Sequence, residues 1–152
     1  FSLPFRSLME SPEAGKKHRN NSKQNAGRIT LLVVEDDDTS YLLIREMLEN
    51  AGIAYLRAEN GEEALSSLKD RPNVDTILMD IKMPVMDGYE ATREIKKKFP
   101  DMPVIAQTAY ISAKDRERAY EAGCDAYIYK PIDEEELMGW IHKLVGTGGA
   151  KI

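Results

Sequence analysis

Glu35-Asp36-Asp37, Asp80, Thr108 and Lys130 are the side chains of this 152-residue sequence best suited to chemistry. Each stands at the end of a short apolar run: Thr30-Leu31-Leu32-Val33-Val34, Thr76–Met79, Val104–Thr108 and Ala126–Tyr129. Carboxylates gathered at one point repel, so one takes up a proton or a cation moves in. Oxygen donors without His or thiolate favour a hard cation. Mg²⁺ suits them best, since it takes few protein carboxylates, keeps waters and accepts a phosphate oxygen. An ammonium and a hydroxyl opposite the ion would cradle phosphoryl oxygens. A carboxylate is also a nucleophile toward phosphorus, giving an aspartyl phosphate. Singly these residues have plainer uses, because an acidic residue after a strand often caps the next helix. Asp37 is read that way. The coincidence of four run ends carries the chemical reading.

Those ends share one edge only if the runs are strands of one sheet. Thr30–Val34 is apolar on both faces, the mark of a strand buried between two helix layers. Ala54–Ala58 is a further strand candidate. Helical patterns lie between the strands. Leu43, Ile44, Met47 and Leu48 share one face, with Gly52 as the stop. Asn60 and Glu63 have capping-box spacing ahead of Ala64, Leu65 and Leu68. Tyr89, Ile95 and Phe99 mark a third helix ending before Pro100. A fourth runs over about 113–122 with Gly123 as its stop. Asp133 and Glu136 open the last, with Leu137, Trp140, Ile141 and Leu144 inward. Five strand–helix repeats predict an α/β fold: a doubly wound, five-stranded parallel sheet with helices on both faces, (βα)5 and flavodoxin-like. Ligands in such folds sit outside the carboxyl ends of the strands.

The motifs Leu-Val-Val-Glu-Asp-Asp at 32–37, Met-Asp-Ile-Lys-Met-Pro-Val-Met-Asp-Gly at 79–88, Gln-Thr-Ala at 107–109 and Ala-Gly-Cys-Asp-Ala-Tyr-Ile-Tyr-Lys-Pro at 122–131 resemble, in order and spacing, the receiver domain of two-component response regulators. The resemblance covers about residues 29–146. It implies that Asp80 accepts a phosphoryl group from phosphohistidine. It implies Mg²⁺ bound by Asp36, Asp80, Glu35 acting through water, and the backbone carbonyl of Lys82. Thr108 and Lys130 would hold the phosphoryl group, and Thr108 and Tyr127 would be the switch. Lys130–Pro131 is expected to be cis, and Pro84 and Gly88 to shape the loop after Asp80. Implied partners are a histidine kinase or histidine phosphotransfer domain, and a downstream protein on the fourth helix, fifth strand and fifth helix. A homodimer is left open. Lys82 and Tyr110 border the path of an attacking water, and their bulk predicts slow self-dephosphorylation.

Residues 1–28 read as a tail and linker. Glu10 to Arg28 has no large apolar side chain and cannot offset its ordering entropy. Nineteen flexible residues would span about 25 Å, which permits delivery from an attached domain. Phe1-Ser2-Leu3-Pro4-Phe5 is similar to the end of a histidine kinase ATP-binding domain, which predicts the C-terminal receiver of a hybrid sensor kinase. The sequence as a whole shows no kinase His or ATP motif, so at most phosphotransfer and autophosphatase activity is expected of the receiver domain. Residues 147–152 read as a C-terminal tail, with output passing to another protein. The net charge of −5 divides unevenly: residues 1–28 hold six basic and two acidic residues, the remainder 15 and 24. An acidic body argues against a nucleic-acid backbone as partner. No apolar run suits a bilayer span, so no membrane contact and a cytoplasmic location are expected, with a membrane-anchored parent allowed. The single Cys124 forms no internal disulfide and is read as buried.

The main rival is a Mg²⁺-dependent aspartate-nucleophile phosphatase. Such enzymes place the nucleophile after the first strand with a second Asp two residues on. Here the candidate follows the third strand, and Lys82 holds that second position. A nucleotide or flavin binder would need a Gly-rich loop after the first strand, and none is present.

Overall fold

The computed structural model describes residues 28–150 except 72, 84, 110 and 111, with side chains to residue 145. The readings placed on Phe1–Phe5, the linker up to residue 27, Pro84 and Tyr110 lie outside the described residues. Ten elements alternate: β1 (Thr30–Val34), α1 (Asp38–Ala51), β2 (Ala54–Ala58), α2 (Gly61–Asp70), β3 (Thr76–Asp80), α3 (Gly88–Lys98), β4 (Val104–Thr108), α4 (Ala113–Ala122), β5 (Ala126–Tyr129) and α5 (Glu134–Ala150). The tail expected from residue 147 overlaps the last turn of α5.

All strand pairs are parallel, in the order β2-β1-β3-β4-β5. The sheet is therefore doubly wound, as the alternating pattern predicts. Its two faces follow from the period of two along each strand. Leu32, Val34, Ile77 and Met79 face α2, α3 and α4. Leu31, Val33, Leu78, Ile105 and Ile128 face α1 and α5. β1, β3 and β4 are buried along their whole length, whereas the edge strand β2 is half-buried.

The helix ends obey local chemistry. Asp37 caps α1 by accepting from the Ser40 amide at 2.7 Å, so its reading as a helix-end residue agrees with the geometry. Gly52 and Gly123 close α1 and α4 with φ of 74° and 113°, a region that costs glycine nothing. Asn60 caps α2 through the Glu63 amide at 2.9 Å. The reciprocal bond differs from the expected box: Glu63 accepts from the Glu59 amide at 2.7 Å, one residue further back. Ser112 and Asp115 form a full box on α4. Leu43, expected inward, is instead 55% exposed. Ile44 and Leu48 fill the α1 stripe facing the sheet, and Leu43 falls just beyond its edge.

Candidate functional site

The carboxyl ends of β1, β3, β4 and β5 meet at one edge of the sheet. β1 delivers Glu35, whose amide still bonds to the Ala58 carbonyl at 3.0 Å and so prolongs the strand by one residue. Glu35 is fully buried, Asp36 exposed and Asp80 5% exposed. One carboxylate oxygen from each lies within 4.8 Å of the others. Three oxygen ligands, two buried and one open to solvent, fit a hard cation that keeps part of its water shell. The site thus has the donors for a metal ion.

Charge at this point is only partly balanced. Lys130 Nζ lies 3.2 Å from Glu35 Oε1 and 3.6 Å from Asp80 Oδ2. Burial, then the neighbouring Glu35 charge, push the Asp80 carboxyl up to about 7, against the pull of Lys130. A carboxyl raised in this way binds a cation in exchange for a proton. The Lys82 amide donates to Asp80 Oδ1 at 3.3 Å, which orients the carboxylate from its own loop. That loop returns through Gly88, whose amide donates to the Ile81 carbonyl at 2.9 Å.

Thr108 closes β4 and is buried at 3% exposure, lining a cavity of about 470 Å³ with Lys82, Asp87 and Tyr89. Lys130–Pro131 is cis. Tyr127, two residues before the end of β5, is 8% exposed and packs edge-on against Tyr129. Its hydroxyl has no hydrogen-bond partner among the described residues, and burial pushes its pKa up to about 12. The structure therefore brings Glu35, Asp36, Asp80 and Lys130 together, with Lys82 beside Asp80, and places Thr108 and Tyr127 on the adjoining strands.

Two residues here escaped the sequence reading. Gln107, fully buried, donates from Nε2 to Glu35 Oε1 at 3.3 Å. Arg57 donates from Nε and a terminal nitrogen to the Glu35 carbonyl at 3.2 and 3.1 Å. A signal existed for both: Gln107 precedes Thr108 in an otherwise apolar run, and Arg57 is one residue from the end of its strand.

The response regulator receiver domain profile matches residues 31–142. The polar-differentiation response regulator DivK of Brucella anthropi is 38% identical over 120 residues, covering 77% of this chain and 96% of its own length. The sensor histidine kinase CheAY of Helicobacter pylori is 38% identical over 131 residues, 84% of this chain, which spans only 16% of that relative. Among solved structures, the receiver domain of a sensor histidine kinase from Pseudomonas aeruginosa, with magnesium in its active-site cleft, is 35% identical. It has a TM-score of 0.73 and covers 79% of this chain and 99% of its own. A CheY-like receiver from Methanospirillum hungatei gives a TM-score of 0.77 at 28% identity, covering 83% of this chain and all of its own. With its acidic cluster at the carboxyl edge of a doubly wound sheet, this chain belongs to the response regulator receiver domains of two-component signalling systems.

Proposed function

We propose that Asp80 is the phosphoacceptor of this receiver and that Glu35, Asp36, Asp80 and the Lys82 carbonyl hold Mg²⁺. The reading rests on one observation: the Glu35, Asp36 and Asp80 oxygens lie within 4.8 Å of one another, with Lys130 3.6 Å from Asp80. When bound, the ion would offset negative charge on the equatorial phosphoryl oxygens. An Asp80 carboxylate oxygen attacks the phosphorus of a phosphohistidine. The new P–O bond forms as the P–N bond breaks, and the imidazole leaves with its electron pair and is protonated. Lys130 and Thr108 hold the transferred oxygens, so the protein's part is positioning and electrostatics. The phosphatase alternative is not favoured: the candidate nucleophile ends β3, and the family match is to receivers.

The donor is a histidine kinase or phosphotransfer domain. We place its phosphohistidine-bearing helix in an apolar groove of about 350 Å³ between α1 and the β5–α5 turn. Leu43, Met47 and Ile132 line this groove, and Lys130 and Gln107 join it to the phosphorylation site. The readout face is α4, β5 and α5, with Thr108 and Tyr127 as the switch. Tyr129, half exposed there, accepts from Arg116 at 2.9 Å. The likeness to CheAY and to a sensor-kinase receiver supports an origin in a histidine kinase, which we read as a hybrid one. Among the described residues no helix is long and apolar enough to cross a membrane.

The test is intact-mass measurement after incubation with Mg²⁺ and acetyl phosphate. A phosphoryl adduct of ~80 Da on wild type and none on Asp80→Asn is the expected result for a carboxylate nucleophile. Equal labelling of both proteins refutes the assignment.

A further inference from the structure

Resting on the metal reading above, we propose that Arg57 is a positioning residue for the acidic loop, gripping the Glu35 carbonyl so that Asp36 stays turned to the ion. Glu35, Asp36, Asp37 and Asp38 are four consecutive acidic residues, and Asp80 adds a fifth carboxyl beside them. Their mutual repulsion favours a loop that splays apart. The last backbone tie to the sheet is the Glu35 amide on the Ala58 carbonyl, and the Asp37 amide donates to Glu35 Oε2 at 3.1 Å, but neither bond gives the Glu35 carbonyl an anchor.

Arg57 supplies it from the neighbouring strand. It lies opposite Val33 in the β1–β2 register, two residues before Glu35. Nε and a terminal nitrogen converge on the Glu35 carbonyl at 3.2 and 3.1 Å. The same terminal nitrogen meets Asp38 Oδ1 at 2.9 Å. The guanidinium stacks on the Tyr41 ring, 4.4 Å from its centroid, which fixes its plane. The Arg57 side chain is 21% exposed and Asp38 84% exposed. An ion pair with so exposed a partner contributes little. The fork on the Glu35 carbonyl is the bond with consequence: it fixes the peptide that leads into Asp36. A lysine ammonium has no such planar fork and does not reproduce the grip.

Charge and positioning predict opposite signs. A cation near the metal site repels Mg²⁺, so on charge alone removing Arg57 tightens binding. If Arg57 positions the loop, removing it weakens binding. The experiment is calorimetric titration of Mg²⁺ into wild type, Arg57→Gln and Arg57→Lys, well below each protein's melting temperature. The expected result is about tenfold weaker binding in both variants, as when a partner that orients a metal ligand is lost. Arg57→Gln binding as tightly as wild type, or tighter, overturns the proposal, and so does full recovery in Arg57→Lys. If Arg57→Gln does not fold, Arg57→Lys decides alone. Absence of Mg²⁺ binding by wild type sinks the metal reading and this proposal with it. Normal wild-type binding with unchanged variants sinks this proposal only.

Discussion

The ammonium of Lys130 lies closer to Glu35 than to Asp80, 3.2 Å against 3.6 Å, although Asp80 is the carboxylate it is proposed to serve. Glu35 is fully buried, and its other donors, the Asp37 amide at 3.1 Å and Gln107 at 3.3 Å, carry no charge. Lys130→Met therefore leaves a buried carboxylate short of a counter-charge. Without metal the variant should lose about 2 kcal/mol, less than a fully buried pair because Lys130 is partly exposed. With millimolar Mg²⁺ most of that loss should disappear, since the cation replaces the ammonium. Urea unfolding in EDTA and in Mg²⁺ measures the difference; equal losses in the two buffers would show that Lys130 and the metal do not share these carboxylates.

Asp80 gives the metal-free protein a pH dependence of definite sign. Its folded pKa is pushed up to about 7, first by burial and then by Glu35, from a usual value of 3.8. The folded state thus binds the proton more tightly than the unfolded chain. Stability from this group is present below about pH 4 and is lost as pH rises through about 7. In EDTA the Asp80 contribution to melting temperature should fall between pH 5 and pH 8, and Asp80→Asn should flatten that part of the profile. Mg²⁺ affinity should run the opposite way, weakening as pH falls below about 7 because proton and ion compete. A wild-type profile in EDTA that coincides with that of Asp80→Asn would refute this.

The fold was legible because each strand and cap is written locally. The run Thr30–Val34, the helix stop at Gly52 and the Asp133–Glu136 spacing each depend on neighbours in sequence. That Glu35, Asp36, Asp80, Thr108 and Lys130 would share one edge of the sheet was legible because the ends of parallel strands converge. Gln107 and Arg57 were not, since their roles depend on which side of a strand they project from and on β2 lying next to β1. Leu43 was misplaced for a related reason: the apolar stripe of α1 is narrower than its run of apolar residues.

Gly88 is held by its surroundings rather than by its own dihedrals. A Cβ there would sit 2.7 Å from the Ile81 Cα and against the Asp80 carbonyl, both backbone atoms that do not yield easily. Gly88→Ala should cost about 2–3 kcal/mol, in the range of core overpacking, and should slow acetyl phosphate labelling by shifting Asp80. Gly52→Ala is the control. Its φ is 74° with nothing within 4 Å, so it should cost about 1 kcal/mol from backbone strain alone and leave labelling intact. Urea midpoints and labelling rates for the pair check both halves.

Cys124 should be chemically silent while the protein is folded. It is 5% exposed, and burial pushes its thiol up to about 11 from a usual 9.0. The thiolate is the reacting form, so burial and pKa act in the same direction. Iodoacetamide should modify native protein at pH 8 far more slowly than protein in urea. For stability, the raised pKa means a contribution present below pH 9 and lost as pH rises through about 11. Labelling of native protein as fast as of the unfolded chain would place the thiol at the surface.

Leu43 tests where the phosphodonor sits. It is 55% exposed on α1, in a groove whose far side is Pro131 and Ile132 and whose inner end is Lys130 and Gln107. An apolar side chain so exposed costs the isolated domain little to replace, so Leu43→Glu should change stability by no more than about 0.5 kcal/mol. Acetyl phosphate is small and needs no groove. A phosphohistidine on a helix must seat that helix before its phosphorus comes within reach of Asp80, and a carboxylate at position 43 would meet its apolar face. The variant should therefore label from acetyl phosphate at the wild-type rate. From a phosphotransfer domain that labels wild type, it should label at least about tenfold more slowly, the cost of truncating or charging a contact worth over 1.4 kcal/mol. Slowing with both donors would mean that the substitution disturbs the Asp80 site itself. Slowing with neither would place the donor on another face.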